Sequence, residues 1–409
     1  MIKNWIKNIG PGPLIAAAFI GPGTVTVCTL AGVNFGFGLL WAMLLSIFAT
    51  VVLQEMAARL GIITQKGLAE IIRTEIHNPI LKVCVVILIL SAIVVGSAAY
   101  EAGNISGAIL GLQTFVEKPD FSVGGFTVNY LSLIIGSIAF ILLYIGNYKV
   151  LERVLISLVI LMSLAFLITA FLTKPDIIEL LRGVFIPRIP EQSVLTIIAL
   201  IGTTVVPYNL FLHASLVKEK WNADDLHIAR KDTYIAIILG GLVSMAIIIS
   251  AASIQSQEIT NAAGLAKGLE PLFGSLAKYF IGIGLFAAGI TSAITAPLAA
   301  SYVVKGCLGW NTTLKSPRFR MVWMIILFVG VLFSSLGFKP IDIIQFAQVA
   351  NGLLLPIMAG LLLWIMNKGA ILGKYKNSAP NNIIGLLIFM ITLLLSIATL
   401  NKVFGLNIF

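Results

Sequence analysis

Residues 13–34 read PLIAAAFIGPGTVTVCTLAGVN. The stretch matches the length of a membrane-crossing helix, about 20 mostly apolar residues. Yet Gly21-Pro22-Gly23 stands near its middle. Proline withholds a backbone donor and glycine frees the backbone, so the helix is expected to open there. A second interrupted stretch, TIIALIGTTVVPYNLFLHASLV at 196–217, carries Pro207 near its middle. Open backbone at membrane depth is tolerated only where it is buried in protein or lines a cavity.

The rest of the chain places these two stretches in a polytopic membrane protein. Of 409 residues, 59% are hydrophobic and 11% charged, against about 25% charged in a soluble domain. Mean hydropathy is +1.03. So few charges cannot cover a water-facing surface, which excludes a soluble protein and points to one membrane domain over 1–409. The N-terminal MIKNWIKNIGPG lacks the small-residue cleavage site of a signal peptide. Residues 1–12 are therefore expected to stay as a short cytoplasmic tail. The net charge of +10 is read as Lys and Arg beside helix ends, not as a nucleic-acid footprint. Cys28, Cys84 and Cys307 show no CxxC spacing and are read as small packing residues. No phosphate-binding glycine loop, HExxH or nucleophile–histidine–acid pattern occurs, so neither an enzyme nor a cofactor is expected.

Eleven segments qualify as spans, at about 13–34, 37–60, 80–111, 127–146, 151–173, 196–217, 232–254, 275–304, 320–337, 341–366 and 382–405. With the N-terminus inside, nineteen of the 27 Lys and Arg fall on the cytoplasmic side and eight on the other. That bias supports eleven spans in a bacterial-type inner membrane, N-terminus cytoplasmic and C-terminus outside. Breaks in the first and sixth spans suit two five-helix halves, about 13–173 and 196–366, plus an eleventh helix at about 382–405. In transporters built from inverted repeats, matching breaks mark the substrate site. Two ordinary proline kinks are the alternative.

At these breaks the sequence resembles the Nramp family (natural resistance-associated macrophage proteins), proton-coupled transporters of divalent metals. GPGPLIAAAFIGPGT resembles the family's first helix, and LLWAMLLSIFATVVLQEMAARLGIITQKGLAE its second helix and following loop. GTTVVPYNLFLHASLV resembles the sixth helix, DTYIAIILGGLV the start of the seventh, and GLFAAGITSAITAPLAASYVVKG the eighth. The resemblance implies an all-α fold of the leucine-transporter type, with two inverted five-helix repeats and broken helices 1 and 6. It also implies a divalent metal ion as substrate, the lipid membrane as partner and protons as a coupling ion to be tested.

The implied metal site departs from the family pattern. Where the family has Asp-Pro-Gly-Asn, this chain has Gly21-Pro22-Gly23-Thr24; where it has Met-Pro-His, this chain has Val206-Pro207-Tyr208. The family's carbonyl ligand before that methionine corresponds to Thr203, and its second histidine to His213. Without a thioether, the site has no reason to prefer manganese or iron over harder ions. Without a carboxylate, a bare dication loses its nearby counter-charge. The remaining donors are neutral oxygens: carbonyls around Gly21 and Thr203, hydroxyls of Thr24, Thr203 and Thr204, and the amides of Asn209, Gln348 and Asn351. Gly21, Thr24 and Thr203 are the expected metal contacts, and Gly23 completes the first break. Neutral oxygens suit a hard ion that keeps part of its water shell, as magnesium does. A magnesium-transporting branch of the family likewise lacks the methionine. Such donors also suit a small zwitterion.

Other polar residues lie inside spans. Glu101, in VVGSAAYEAGNISG, matches an acid of the family's proton pathway, and its partner acid corresponds to Ala98 here. An intramembrane acid is a functional candidate by default; pairing with a neighbouring helix is the plain alternative. His213 titrates near neutrality in water and suits a proton shuttle, or a hydrogen-bonded packing role. Tyr208 does not titrate near neutrality, so proton coupling of the histidine kind is lost there. Gln348 and Asn351 lie three apart on one helical face, facing the site or bonding between helices. Glu55 is expected to pair with Arg59 at i, i+4. The reading is a secondary transporter of a divalent cation, with its site altered toward hard ions such as magnesium and proton coupling weakened or absent. A carrier of a small amino-acid-like solute, or a non-transporting sensor on the same scaffold, are the competing readings.

Overall fold

The computed structural model describes residues 10–12, 15, 20–116, 120–123, 126–146, 149–254 and 259–404. Its longer helices are α1 (Pro22–Phe35), α2 (Leu40–Thr64), α3 (Leu68–Glu75), α4 (Pro79–Leu112), α5 (Tyr130–Ile145), α6 (Lys149–Leu172) and α7 (Ile177–Phe185). They continue as α8 (Val194–Thr204), α9 (Pro207–Val217), α10 (Leu226–Ala252), α11 (Ala277–Leu308), α12 (Pro317–Ser335), α13 (Pro340–Met366) and α14 (Ala379–Phe404). Strands β1 (Asp120–Val123) and β2 (Phe126–Asn129) form a small antiparallel hairpin before α5, pairing Asp120 with Asn129 and Val123 with Phe126.

Nine stretches among the described residues are long and apolar enough to cross a membrane, the sixth expected span counting once as Val194–Val217. With Pro22–Phe35 and the shorter Tyr130–Ile145, they account for the eleven expected segments. The fourth begins three residues later than expected, because 126–129 are spent on strand β2. Of the first segment's inner half, residues 13–14 and 16–19 lie outside the described residues.

Helix starts follow local chemistry. Proline opens α1, α4, α9, α12 and α13, where its missing N–H would have no partner anyway. Asn78 caps α4 by accepting from the Ile80 and Leu81 amides, and Asn129 caps α5 through the Leu131 amide. Gly146 ends α5 in the left-handed conformation at φ +68°, a position that suits glycine.

The first half of α4 is peripheral, with Ile80, Leu81, Val83, Ile87 and Val95 exposed, whereas residues 100–111 are all buried. That inner half packs on α11, α12 and α13, while α1 lies against α10, α8, α13 and α4. Lipid is as apolar as leucine, so helices in a bilayer associate through close packing, and small residues permit it. A Cβ at Gly107 would meet Pro22 Cβ at 2.0 Å, and one at Gly111 would meet the Gly282 carbonyl at 2.5 Å. Cys28 and Cys307 are buried and unpaired, and Cys84 is unpaired on the exposed flank of α4. Glu55 pairs with Arg59 at 3.0 Å, as expected, and with Arg230 of α10 at 2.8 Å. Arg59 also donates to the Tyr375 carbonyl and to Asn377 Oδ1, each at 2.8 Å.

Candidate functional site

The two broken stretches meet at the centre of the bundle. Gly21 precedes α1 with extended backbone, φ −106° and ψ −173°, so the first segment is open at the glycine that begins Gly-Pro-Gly. The sixth is open between Thr204 and Pro207, with Val205 and Val206 outside both helices. Pro207 offers no amide to the Thr203 carbonyl one turn back. The gap is bridged by side chains: Thr24 Oγ1 and Thr203 Oγ1 lie 2.8 Å apart, both fully buried.

Helix α13 supplies the third wall. Gln348 is 1% exposed and lies against both broken helices. A Cβ at Gly23 would come within 2.2 Å of Gln348 Nε2, and one at Gly202 within 1.9 Å of the Gln348 carbonyl. Glycine at 23 and 202 is what lets α13 approach so closely. Asn351 faces a different neighbour, its Oδ1 lying 3.7 Å from where a Gly96 Cβ would stand on α4. Asn209, in the first turn of α9, is fully buried.

Several of these atoms have no hydrogen-bond partner among the described residues: both amide atoms of Asn209, Gln348 Oε1 and Asn351 Nδ2. Buried polar groups are almost always bonded, and leaving one unpaired costs several kcal/mol in an apolar surrounding, roughly 2–7. Asn209 and Gln348 carry such orphans on the segments that meet at the gap. Thr204 turns elsewhere: its hydroxyl meets Ser46 of α2 and the carbonyls of Leu200 and Ile201.

Two contributors carried no signal in the sequence. Ser292 on α11 is fully buried, its Oγ has no partner, and it lies 3.0 Å from where a Gly21 Cβ would stand. Tyr100 on α4 brings its OH to 4.0 Å from the same point, and its ring meets Tyr208 edge to face, centroids 5.4 Å apart. The position without a carboxylate is thus bordered by two hydroxyls. A serine on an Ala- and Gly-rich helix looks like packing, and only the tertiary contact reveals it.

The two ionisable residues are buried on α4 and α9. Glu101 is fully buried against α12, its Cγ 2.4 Å from where a Gly330 Cβ would stand. Its one hydrogen-bond donor is Asn104 Nδ2 at 3.5 Å, Oε1 has none, and no cation among the described residues pairs with it. His213 is fully buried on α9, with Nδ1 2.9 Å from Gln54 Oε1 of α2 and Nε2 unpartnered. A carbonyl oxygen can only accept, so Nδ1 carries the proton in that bond. Among the described residues no three His, Cys, Asp or Glu side chains gather as a metal site.

Comparison with known proteins places this architecture. The family model described as natural resistance-associated macrophage protein-like matches residues 12–402. The chain belongs to the Nramp family. Its members are transporters, not enzymes. A divalent metal cation transporter MntH of Verminephrobacter eiseniae is 28% identical, over 98% of this chain and 90% of the relative. The natural resistance-associated macrophage protein 2 homolog of Dictyostelium discoideum is 27% identical, over 98% of this chain and 64% of that longer protein. Among solved structures, a manganese transporter of Eremococcus coleocola superposes with TM-score 0.77 at 21% identity, over 98% of this chain and 87% of that one. A nucleobase-cation-symport-1 family transporter in a closed conformation also superposes, TM-score 0.57 at 13% identity, over 97% and 93%. This Nramp chain therefore has the leucine-transporter-type fold, with helices 1 and 6 broken.

Proposed function

We propose that this Nramp family member carries a hard divalent cation, magnesium being the best fit, by alternating access around the gap between Gly21–Thr24 and Thr203–Asn209. One observation supports this reading above others: Asn209 Oδ1 and Gln348 Oε1, neutral and buried, are orphaned on segments that meet at the break, beside the paired hydroxyls of Thr24 and Thr203. A dication stripped of water needs charged ligands, whereas a strongly hydrated one can be held through its own waters by carbonyls, amides and hydroxyls. Magnesium gives up water reluctantly, and the hydroxyls of Ser292 and Tyr100 stand where a shell of water would need acceptors and donors. Relatives named as divalent metal cation transporters over nearly the whole chain support the cargo class.

Proton coupling is weak or absent in this reading. The first-helix acid is Gly21 and the sixth-helix histidine is Tyr208, and neither exchanges a proton near neutrality. Cation entry then follows concentration and membrane potential, about 2.3 kcal/mol per charge per 100 mV. Orientation is N-terminus cytoplasmic and C-terminus outside in an inner-type membrane, from the Lys and Arg bias. The repeats run over about 13–173 and 196–366.

A second reading has its own support. The orphans include donors, Asn209 Nδ2 and Asn351 Nδ2, beside the acceptors, a mixture that suits the carboxylate and ammonium of a small zwitterion. A thermal-shift screen of magnesium, calcium, manganese and a panel of amino acids separates the two, since a ligand of the folded state raises its stability. Stabilisation by magnesium, absent in Asn209→Ala, is the expected result. Stabilisation by an amino acid and by no cation would replace the first reading with the second.

A further inference from the structure

A cavity of about 370 Å³ opens at the basic end of the bundle, between α3, the C-terminal ends of α9 and α11, and residues 309–311. None of Gly21, Thr24, Thr203, Asn209 or Gln348 lines it. Its size falls within the range of small-molecule pockets, roughly 300–1,000 Å³.

Three cations reach it from three separate segments: Arg73 of α3, Lys218 just beyond α9 and Lys305 of α11. All are partly buried, and among the described residues none is in an ion pair. Arg73 gives Nε to the Gly306 carbonyl at 3.1 Å, which leaves its two terminal nitrogens for another acceptor. The guanidinium lies flat over Gly309, where φ is +65° and a Cβ would come 2.8 Å from Arg73 Cζ. Only glycine fits beneath the fork at that conformation. Glu70 and Glu219 share the wall, so three positive charges face two negative ones, a net of +1. Tyr302 and Trp310 add ring faces.

We infer that this cavity binds a phosphate monoester. A fixed guanidinium fork takes two phosphate oxygens at once, and two flexible ammonium groups complete the shell. The two acids weigh against a polyphosphate, and the rings accept the apolar body of the ligand. Because the walls belong to α3, α9 and α11, an occupant ties the second half of the broken sixth helix to α11. The ligand is either a soluble metabolite or the headgroup of a phosphatidic acid-like lipid, which share this chemistry. The inference does not depend on which substrate the gap carries.

The test uses the full chain in two media. Thermal unfolding in neutral detergent is followed with phenyl phosphate, and in phosphatidylcholine nanodiscs with and without phosphatidic acid. A saturable rise in midpoint in detergent identifies a soluble ligand, a rise with phosphatidic acid only identifies the lipid, and either supports the site. The response is expected to weaken roughly tenfold in apparent affinity in K305Q and to vanish in K218Q/K305Q. Should the double variant fail to fold, K305Q and R73Q carry the comparison separately. No response in either medium, or an equal response in the wild type and the variants, overturns the proposal.

Discussion

Thr24 and Thr203, 179 residues apart in sequence, share a hydrogen bond of 2.8 Å between their hydroxyl oxygens at the centre of the bundle. The contact joins the two broken segments at the level where each has lost its own backbone ladder. A double-mutant cycle of Thr24→Val and Thr203→Val should therefore give a coupling energy of about 0.5–1.5 kcal/mol, the net worth of one buried hydrogen bond. Unfolding midpoints of the four proteins measure it. Strict additivity would mean that the hydroxyls do not meet.

The approach of α13 to both broken helices depends on Gly23 and Gly202. Gly202→Ala places a methyl 1.9 Å from a backbone carbonyl, which no side-chain rotation relieves. A loss of about 1–3 kcal/mol is expected from such overpacking. Gly23→Ala meets the far end of the Gln348 side chain instead, so its cost in stability is smaller and its cost in ligand binding larger. Thermal unfolding and cation titration of the two variants, side by side, should show that inversion.

Restoring the family's missing donors tests the site from the other direction. Gly21→Asp with Val206→Met adds a carboxylate and a thioether where the gap has neither. Ser292 Oγ, 3.0 Å from the new Cβ, can donate to that carboxylate. Manganese affinity should rise relative to magnesium, by roughly tenfold or more. Competition binding on the purified variant measures the ratio, and no gain for manganese counts against the assigned gap.

Away from the gap, Glu55 joins α2 to α10 by bonding both Arg59 and Arg230. Arg59 is almost wholly buried. Glu55→Ala leaves that guanidinium without its carboxylate, at a cost of about 3–5 kcal/mol. Arg230→Ala removes a half-exposed partner and should cost under about 1 kcal/mol. Equal losses in the two variants would show that Arg59 does not depend on Glu55.

Much of this was legible in the residues themselves. Apolar length counts the spans, and proline with glycine locates both breaks, because in lipid an interrupted backbone must be sheltered. Thr24, Thr203 and Asn209 could be named from their nearness to those breaks. Gln348 and Asn351 could be named from their amides, but not their partners. Residues three apart differ by about 60° around a helix, and at a crowded crossing that sends Gln348 to Gly23 and Gly202, and Asn351 to Gly96. Ser292, Tyr100 and the Ser46–Thr204 contact had no local signature. Their roles arise only from the tertiary packing of α11, α4 and α2. The basic cavity was equally hidden, since Arg73, Lys218 and Lys305 read singly as orientation signals.

The central claim is that this gap passes a hard divalent cation. Uptake into sealed vesicles reconstituted with the full chain, driven by an inside-negative potential and read by a trapped indicator, tests it most directly. Magnesium should enter faster than manganese, entry should fall at least tenfold in Asn209→Ala, and no proton should accompany it. If neither magnesium nor manganese enters above protein-free vesicles, the account of the site as a cation pathway is contradicted.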